Sequence, residues 1–196
     1  MKLIIASNNK HKIAEIKNIL GEKFDEILSL SEAKIEHETV EDGTTFLENA
    51  IKKASEIAEL SGVATLADDS GICVHALDGA PGIYSARFAG EHGNDRANNE
   101  LLLERLADKS DRTAHYTCAM ALVSPNGRTI TAEGYLYGTV IDAPRGDGGF
   151  GYDPLVVPQD EEHTLAEMCE DEKNAISHRA RALQALCDKL DDSPEV

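Results

Sequence analysis

Val63-Ala64-Thr65-Leu66-Ala67-Asp68-Asp69-Ser70-Gly71 is an apolar run that ends in two adjacent carboxylates, a hydroxyl and a glycine. The apolar part reads as a buried strand. The acids and the glycine read as a turn, with Ile72 to His75 extended beyond it. A strand fixes the carboxylates, and a glycine lets the backbone come close to a ligand. Asp69 in such a place can hold a divalent cation and can orient or deprotonate a water. Asp68 beside it and Glu41 upstream are further oxygen donors. The structural alternative is a turn whose aspartates bond backbone amides.

On the amino-terminal side, Leu47, Ala50, Ile51, Ala54 and Ala58 recur at helical spacing. Thr44 or Thr45 caps that helix, with Glu48 placed for a capping box from Thr45, and Gly62 ends it. Asn49 and Lys53 share one face of it, and Lys53 is placed to reach Asp69. Further upstream, Lys2 to Ala6 reads as a short buried strand and Phe24 to Leu30 as a second. Between them Ser7-Asn8-Asn9 turns into a helix with Ile13, Ile16 and Leu20 on one face. The start of that helix, with Lys10, His11 and Lys12, suits a phosphate, because helix amides and lysines both face anions there. The GxxxxGK[ST] glycines of a P-loop are missing. The plain alternative is a capped helix with solvent lysines.

On the carboxyl side, Asn94 to Leu106 reads as a helix. His115 to Ser124 and Arg128 to Ile141 form a hairpin about Pro125-Asn126-Gly127. Pro144 to Pro154 is a glycine-rich loop that presents Phe150, Gly151, Tyr152 and Asp153. An aromatic on such a loop can stack on a base. Thr164 to Met168 starts a short helix, and Ser177 caps a last one carrying Leu183, Leu186 and Leu190. Lys173, His178 and Arg179 bring donors to that end of the chain. Residues 191–196 read as a frayed tail.

Alternating strands and helices with one long hairpin make an α/β protein with a mixed sheet. No linker divides the 196 residues, so 1–196 is expected as a single domain. The longest apolar runs are a few residues, which excludes a membrane-spanning helix. A formal net charge of −17 excludes nucleic acid and anionic membranes as partners. Cys73, Cys118, Cys169 and Cys187 lack CxxC spacing and are expected as ordinary thiols of a cytoplasmic protein.

Six motifs in this order resemble the inosine/xanthosine triphosphate pyrophosphatase family. They are Ser7-Asn8-Asn9…Lys12, Thr45-Phe46…Glu48-Asn49-Ala50…Lys53-Ala54, Ala67-Asp68-Asp69-Ser70-Gly71, Gly79-Ala80-Pro81-Gly82…Tyr84-Ser85-Ala86-Arg87, Gly149-Phe150-Gly151-Tyr152-Asp153-Pro154 and Lys173…Ser177-His178-Arg179. The resemblance implies hydrolysis of ITP, dITP and XTP to the monophosphate and pyrophosphate with Mg²⁺ as cofactor. It also implies a long twisted mixed sheet with helices on both sides, two lobes around a central cleft, and a homodimer. Asp69 matches the proton acceptor and metal ligand. Ser7 to Lys12 and Ser70 match the substrate-binding turns, and Lys53 a charged residue near the phosphates. Phe150 to Asp153 match the base-binding loop, and Lys173, His178 and Arg179 the readers of the 6-oxo edge. Asn8 departs from the glycine of many relatives. A binding module without catalysis and a phosphatase releasing orthophosphate are the competing readings.

Overall fold

The structure is a computed structural model that describes residues 2–21 and 23–192. Six strands form one sheet in the order β2-β1-β3-β4-β5-β6. They are β1 (Lys2–Ile5), β2 (Glu26–Ser29), β3 (Ala64–Val74), β4 (Thr113–Val123), β5 (Thr129–Val140) and β6 (Val156–Pro158). β1 runs parallel to β2 and to β3, whereas β5 and β6 are antiparallel, so the sheet is mixed. The helices are α1 (Lys10–Leu20), α2 (Phe46–Ser61), α3 (Asp95–Arg105), α4 (Glu170–Ile176) and α5 (His178–Asp191).

Local chemistry accounts for the boundaries. The Asn9 side chain caps α1 by accepting from the His11 and Lys12 amides. Thr45 caps α2 through the Glu48 amide, but the Glu48 carboxylate accepts from Thr44 rather than closing the box on Thr45. Gly62 closes α2 in the left-handed conformation at φ 66°. The β4–β5 hairpin turns at Gly127, whose N–H donates to the Ser124 carbonyl at 2.9 Å.

The chain folds as two compact units. One holds residues 1–69, 118–134 and 179–196, the other 70–117 and 135–178, so β3, β4 and β5 each have residues in both. In the first unit, side-chain alternation along the strands divides the core. Leu3, Ile5, Leu66, Cys118, Met120 and Leu122 face α1 and α5, with Ile16, Leu183 and Leu186. Ile4, Ala67, Ala121 and Val123 face α2, with Ala50, Ala54 and Ile57. The second unit has its own core, in which Ile72, Val74, Tyr116 and Leu136 meet Leu102 and Leu106 of α3, with Leu155 and Val156.

Three expectations change. The acidic turn is not a turn: β3 runs unbroken through Asp68, Asp69, Ser70 and Gly71. Buried acids stay in a strand when cations and amides meet them, as they do here. Thr164 to Met168 form a turn closed by the Glu167 N–H on the Thr164 carbonyl, not a helix; the helix is α4, which begins at Glu170. Asp191 still belongs to α5, while 193–196 of the expected tail lie outside the described residues.

Candidate active site

Parallel pairing of β1 with β3 sets Ile5 opposite Leu66, and the Ala6 N–H donates to the Leu66 carbonyl at 2.8 Å. The turn after β1 therefore lies at the level of Asp68. Ser7 organises this turn by accepting the Asn9 N–H at 3.1 Å. Asn8 stays out of the left-handed region, so the backbone here makes no demand for glycine. Asn8, Lys10 and His11 are exposed and Lys12 is half-buried. Asn9 is oriented by its capping bonds, so its side-chain oxygen is turned to α1.

Asp68 and Asp69 leave β3 on opposite faces. Asp68 points to α1 and α5, where its Oδ2 lies 2.8 Å from Lys12 Nζ and 3.5 Å from Arg179 Nε. Arg179 Nη1 donates to Glu15 at 2.8 Å. Burial alone raises a carboxyl pKa, but Lys12 and Arg179, with Lys53 further off, more than offset it and hold Asp68 well below the carboxylate range. The Cys118 thiol beside it is pushed up to about 12 by burial and by the Asp68 charge.

Asp69 points to α2. Asn49 Nδ2 donates to its Oδ2 at 2.9 Å, and Asn49 Oδ1 accepts the Gly43 N–H at 2.8 Å. One amide thus ties the loop carrying Glu41 to the carboxylate. Gly43 is needed there: a Cβ would meet Asn49 Oδ1 at 2.6 Å. Lys53, one turn along α2, donates to Glu41 at 2.6 Å. Burial raises the Asp69 pKa and Glu41 adds to it, while Lys53 and Asn49 act against the rise without cancelling it. Burial also works against charge on Lys53, yet Asp68, Asp69 and Glu41 outweigh it and keep the ammonium protonated. A buried carboxyl with a raised pKa is suited to accept a proton.

Glu41 and Asp69 are hard oxygen donors whose mutual repulsion a divalent cation would relieve. Among the described residues no three His, Cys, Asp or Glu side chains form a ready cage. Mg²⁺ suits such a place, because it takes one or two carboxylates together with ligand phosphates. Asp68, expected as a further metal ligand, does not fit: its carboxylate faces the other side of β3 and is bound by two cations.

In the second unit the glycine loop wraps around Asp153. Its Oδ2 accepts the Phe150 N–H at 2.9 Å and pairs with Lys173 from α4. A Cβ on Gly149, at φ 71°, would lie 2.3 Å from that oxygen. Asp95 and Asn99 of α3 hold Gly151 by its N–H and its carbonyl, at 2.7 and 3.0 Å. Lys173 Nζ sits 4.4 Å from the half-buried Phe150 ring. Tyr152 was expected to line a ligand, but it is buried and its hydroxyl donates to the Ser85 carbonyl at 2.8 Å. His178 stacks on Tyr116, with ring centroids 4.9 Å apart.

The structure thus gathers Lys12 with Asp68, and Lys53 with Glu41 and Asp69. Phe150, Asp153 and Lys173 form a third group, and Ser70 is half-buried in β3. Arg179, expected with Lys173 and His178 at the base, is buried, and its Nε and Nη1 meet Asp68 and Glu15. Glu15, Asp95, Asn99 and Tyr116 were not foreseen. Glu15 had a signal, three residues after Lys12 on one helix face; the others are ordinary helix and strand residues in sequence.

Residues 3–189 match the sequence model of the Ham1 family. A dITP/XTP pyrophosphatase of Clostridium perfringens is 52% identical, covering 96% of this chain and 97% of that protein. One of Exiguobacterium sp. is 50% identical, covering 95% of each. Among solved structures, the Ham1 protein of Staphylococcus aureus superposes with a TM-score of 0.90 at 38% identity, covering 98% of this chain and 99% of that one. A nucleoside-triphosphatase / dITP/XTP pyrophosphatase of Mycobacterium abscessus gives 0.80 at 43% identity, covering 95% and 98%.

Proposed function

This chain belongs to the Ham1 family, and we propose that it hydrolyses deaminated purine nucleoside triphosphates, ITP, dITP and XTP, to the monophosphate and pyrophosphate. The observation that carries this reading is Asp69. It is a buried carboxyl with a raised pKa, fixed by Asn49 and set beside Glu41 and Lys53. A noncatalytic binding module has no use for such a group.

Asp69 takes a proton from the water that attacks the α-phosphorus. Lys12 and Lys53 neutralise the charge that builds up on the leaving pyrophosphate. Asp69 and Glu41 would hold Mg²⁺, which when bound supplies charge neutralisation on the phosphate oxygens. Phe150 stacks on the base. Lys173, steadied by Asp153, donates to a 6-oxo group, and His178, stacked on Tyr116, is the second reader of that edge in this proposal. Adenine carries an amino group at position 6 and leaves such a donor unpaired, at about 1–3 kcal/mol for a buried group. On a chain of net charge −17, these few cations are what admits a polyanion.

The same reading includes a homodimer and a cytoplasmic location, where nucleotide pools lie. No helix among the described residues is long and apolar enough to cross a membrane. Sedimentation of the 21.2 kDa chain tests the dimer.

The deciding assay is turnover of ITP, XTP, ATP and GTP with Mg²⁺, with pyrophosphate and orthophosphate measured separately. Pyrophosphate from ITP and XTP with little from ATP is the expected result. Orthophosphate as product would establish a phosphatase, and no turnover would leave a binding module.

A further inference from the structure

Asp68 has no task in the reaction just described, yet it is a fully buried charge in a built network. Lys12 and Glu15 both come from α1, three residues apart and so on one face. Arg179 comes from α5 and Asp68 from β3. The four charges alternate: Lys12 meets Asp68 at 2.8 Å, Asp68 meets Arg179 at 3.5 Å, and Arg179 meets Glu15 at 2.8 Å. Side-chain exposure is 1% for Asp68, 3% for Arg179 and 8% for Glu15, but 17% for Lys12. Lys12 is therefore the member that reaches outward.

Buried ion pairs are poor stabilisers, and apolar residues of similar volume often serve as well. A network of this kind is better explained by what it orients. A lysine ammonium rides on a flexible four-carbon stem and loses considerable rotamer entropy when a ligand fixes it. One that is already fixed by a carboxylate has met that cost in folding, and keeps two donor protons for a ligand.

We propose that Asp68 is a positioning residue: braced by Arg179 and Glu15, it holds the Lys12 ammonium in the place where the pyrophosphate part of the substrate binds. This rests on the nucleotide reading above. It also separates the neighbouring aspartates, one acting on the water and the other acting only through Lys12.

The sign of one substitution tests it. Asp68→Asn removes a negative charge close to an anion site, so net charge alone predicts tighter pyrophosphate binding. Loss of positioning predicts weaker binding. The measurement is calorimetric affinity for inorganic pyrophosphate with Mg²⁺ in the full chain. It is made for the wild type, Asp68→Asn, Lys12→Ala and the double variant, alongside KM and kcat for ITP. Expected are a roughly tenfold loss in Asp68→Asn, and a double variant no weaker than Lys12→Ala alone, because both changes remove one interaction. KM for ITP rises by a similar factor. Unchanged or tighter binding in Asp68→Asn, or losses that add in the double variant, would overturn the proposal. Should Asp68→Asn not fold, Asp68→Asn with Arg179→Gln restores charge balance and still lacks the hold on Lys12, so the same loss is expected. Wild-type release of pyrophosphate from ITP is scored separately. If it fails, the activity is wrong, while the cycle on pyrophosphate binding still decides the role of Asp68.

Discussion

The two faces of β3 carry adjacent aspartates into opposite electrostatic situations. On the α1 and α5 face, Asp68 meets two cations, and its pKa falls below the usual range although it is buried. On the α2 face, Asp69 meets an amide, one lysine and another acid, and its pKa rises. Burial is similar on both sides, at 2% and 7% exposure, so the neighbours decide the sign. Charge balance makes one carboxylate part of the architecture. Its lack keeps the other poised to take a proton or a cation, at some cost in stability.

The strongest way to break this contrast is Asp69→Asn. Turnover of ITP is expected to fall by about 10³-fold or more, since a proton acceptor and cation ligand is lost. Nucleotide binding survives. Near-normal kcat in this variant would sink the assignment.

Asp68→Asn sharpens the contrast through stability. It leaves buried cations uncompensated and is expected to cost about 3–5 kcal/mol by denaturant unfolding. Asp69→Asn is expected to unfold no more easily than the wild type at neutral pH, and a large destabilisation there would contradict the environment described.

The residues proposed for base recognition lie in the second unit and provide the next test. Phe150→Ala is expected to weaken ITP binding by about 1–3 kcal/mol without changing affinity for pyrophosphate. Lys173→Met is expected to narrow the preference for ITP over ATP by a similar amount, read as the ratio of kcat/KM values.

The smallest expected effect is in pH dependence. The folded pKa of Asp68 lies below the ordinary value of 3.8, so its stabilising contribution is complete above about pH 4 and drains away as pH falls towards the lowered value. For Asp69 the shift is upward, so its ionisation opposes folding at neutral pH. The advantage of Asp69→Asn should vanish below about pH 4, where Asp69 is protonated folded or unfolded. Unfolding curves of both variants from pH 3 to 7 check the two signs. An acid limb of kcat/KM above the ordinary aspartate range checks Asp69 independently.

Features set by short-range chemistry were legible in the sequence. The polar turn into α1, the threonine cap of α2, its end at Gly62 and the turn at Gly127 depend on residues within a few positions, and so does the shared face of Asn49 and Lys53. The segment through Asp68 and Asp69 reads as a turn because local propensity disfavours aspartate in strands. Here it is overruled by partners far away: Arg179 is 111 positions from Asp68, and Asn49 is 20 from Asp69. The same holds for Arg179, which the family resemblance matches to a reader of the 6-oxo edge. Its guanidinium instead closes on Glu15, 164 positions away.

By itself, the sequence determined the α/β class, the order of the motifs and the residue types on which the chemistry depends, because periodicity, capping and turn chemistry act along the chain. Tertiary structure alone decided which of two adjacent carboxylates is neutralised and which is left poised. That choice follows from alternation along β3 and from the charges that distant helices bring to each face, and neither is written within a single stretch of sequence.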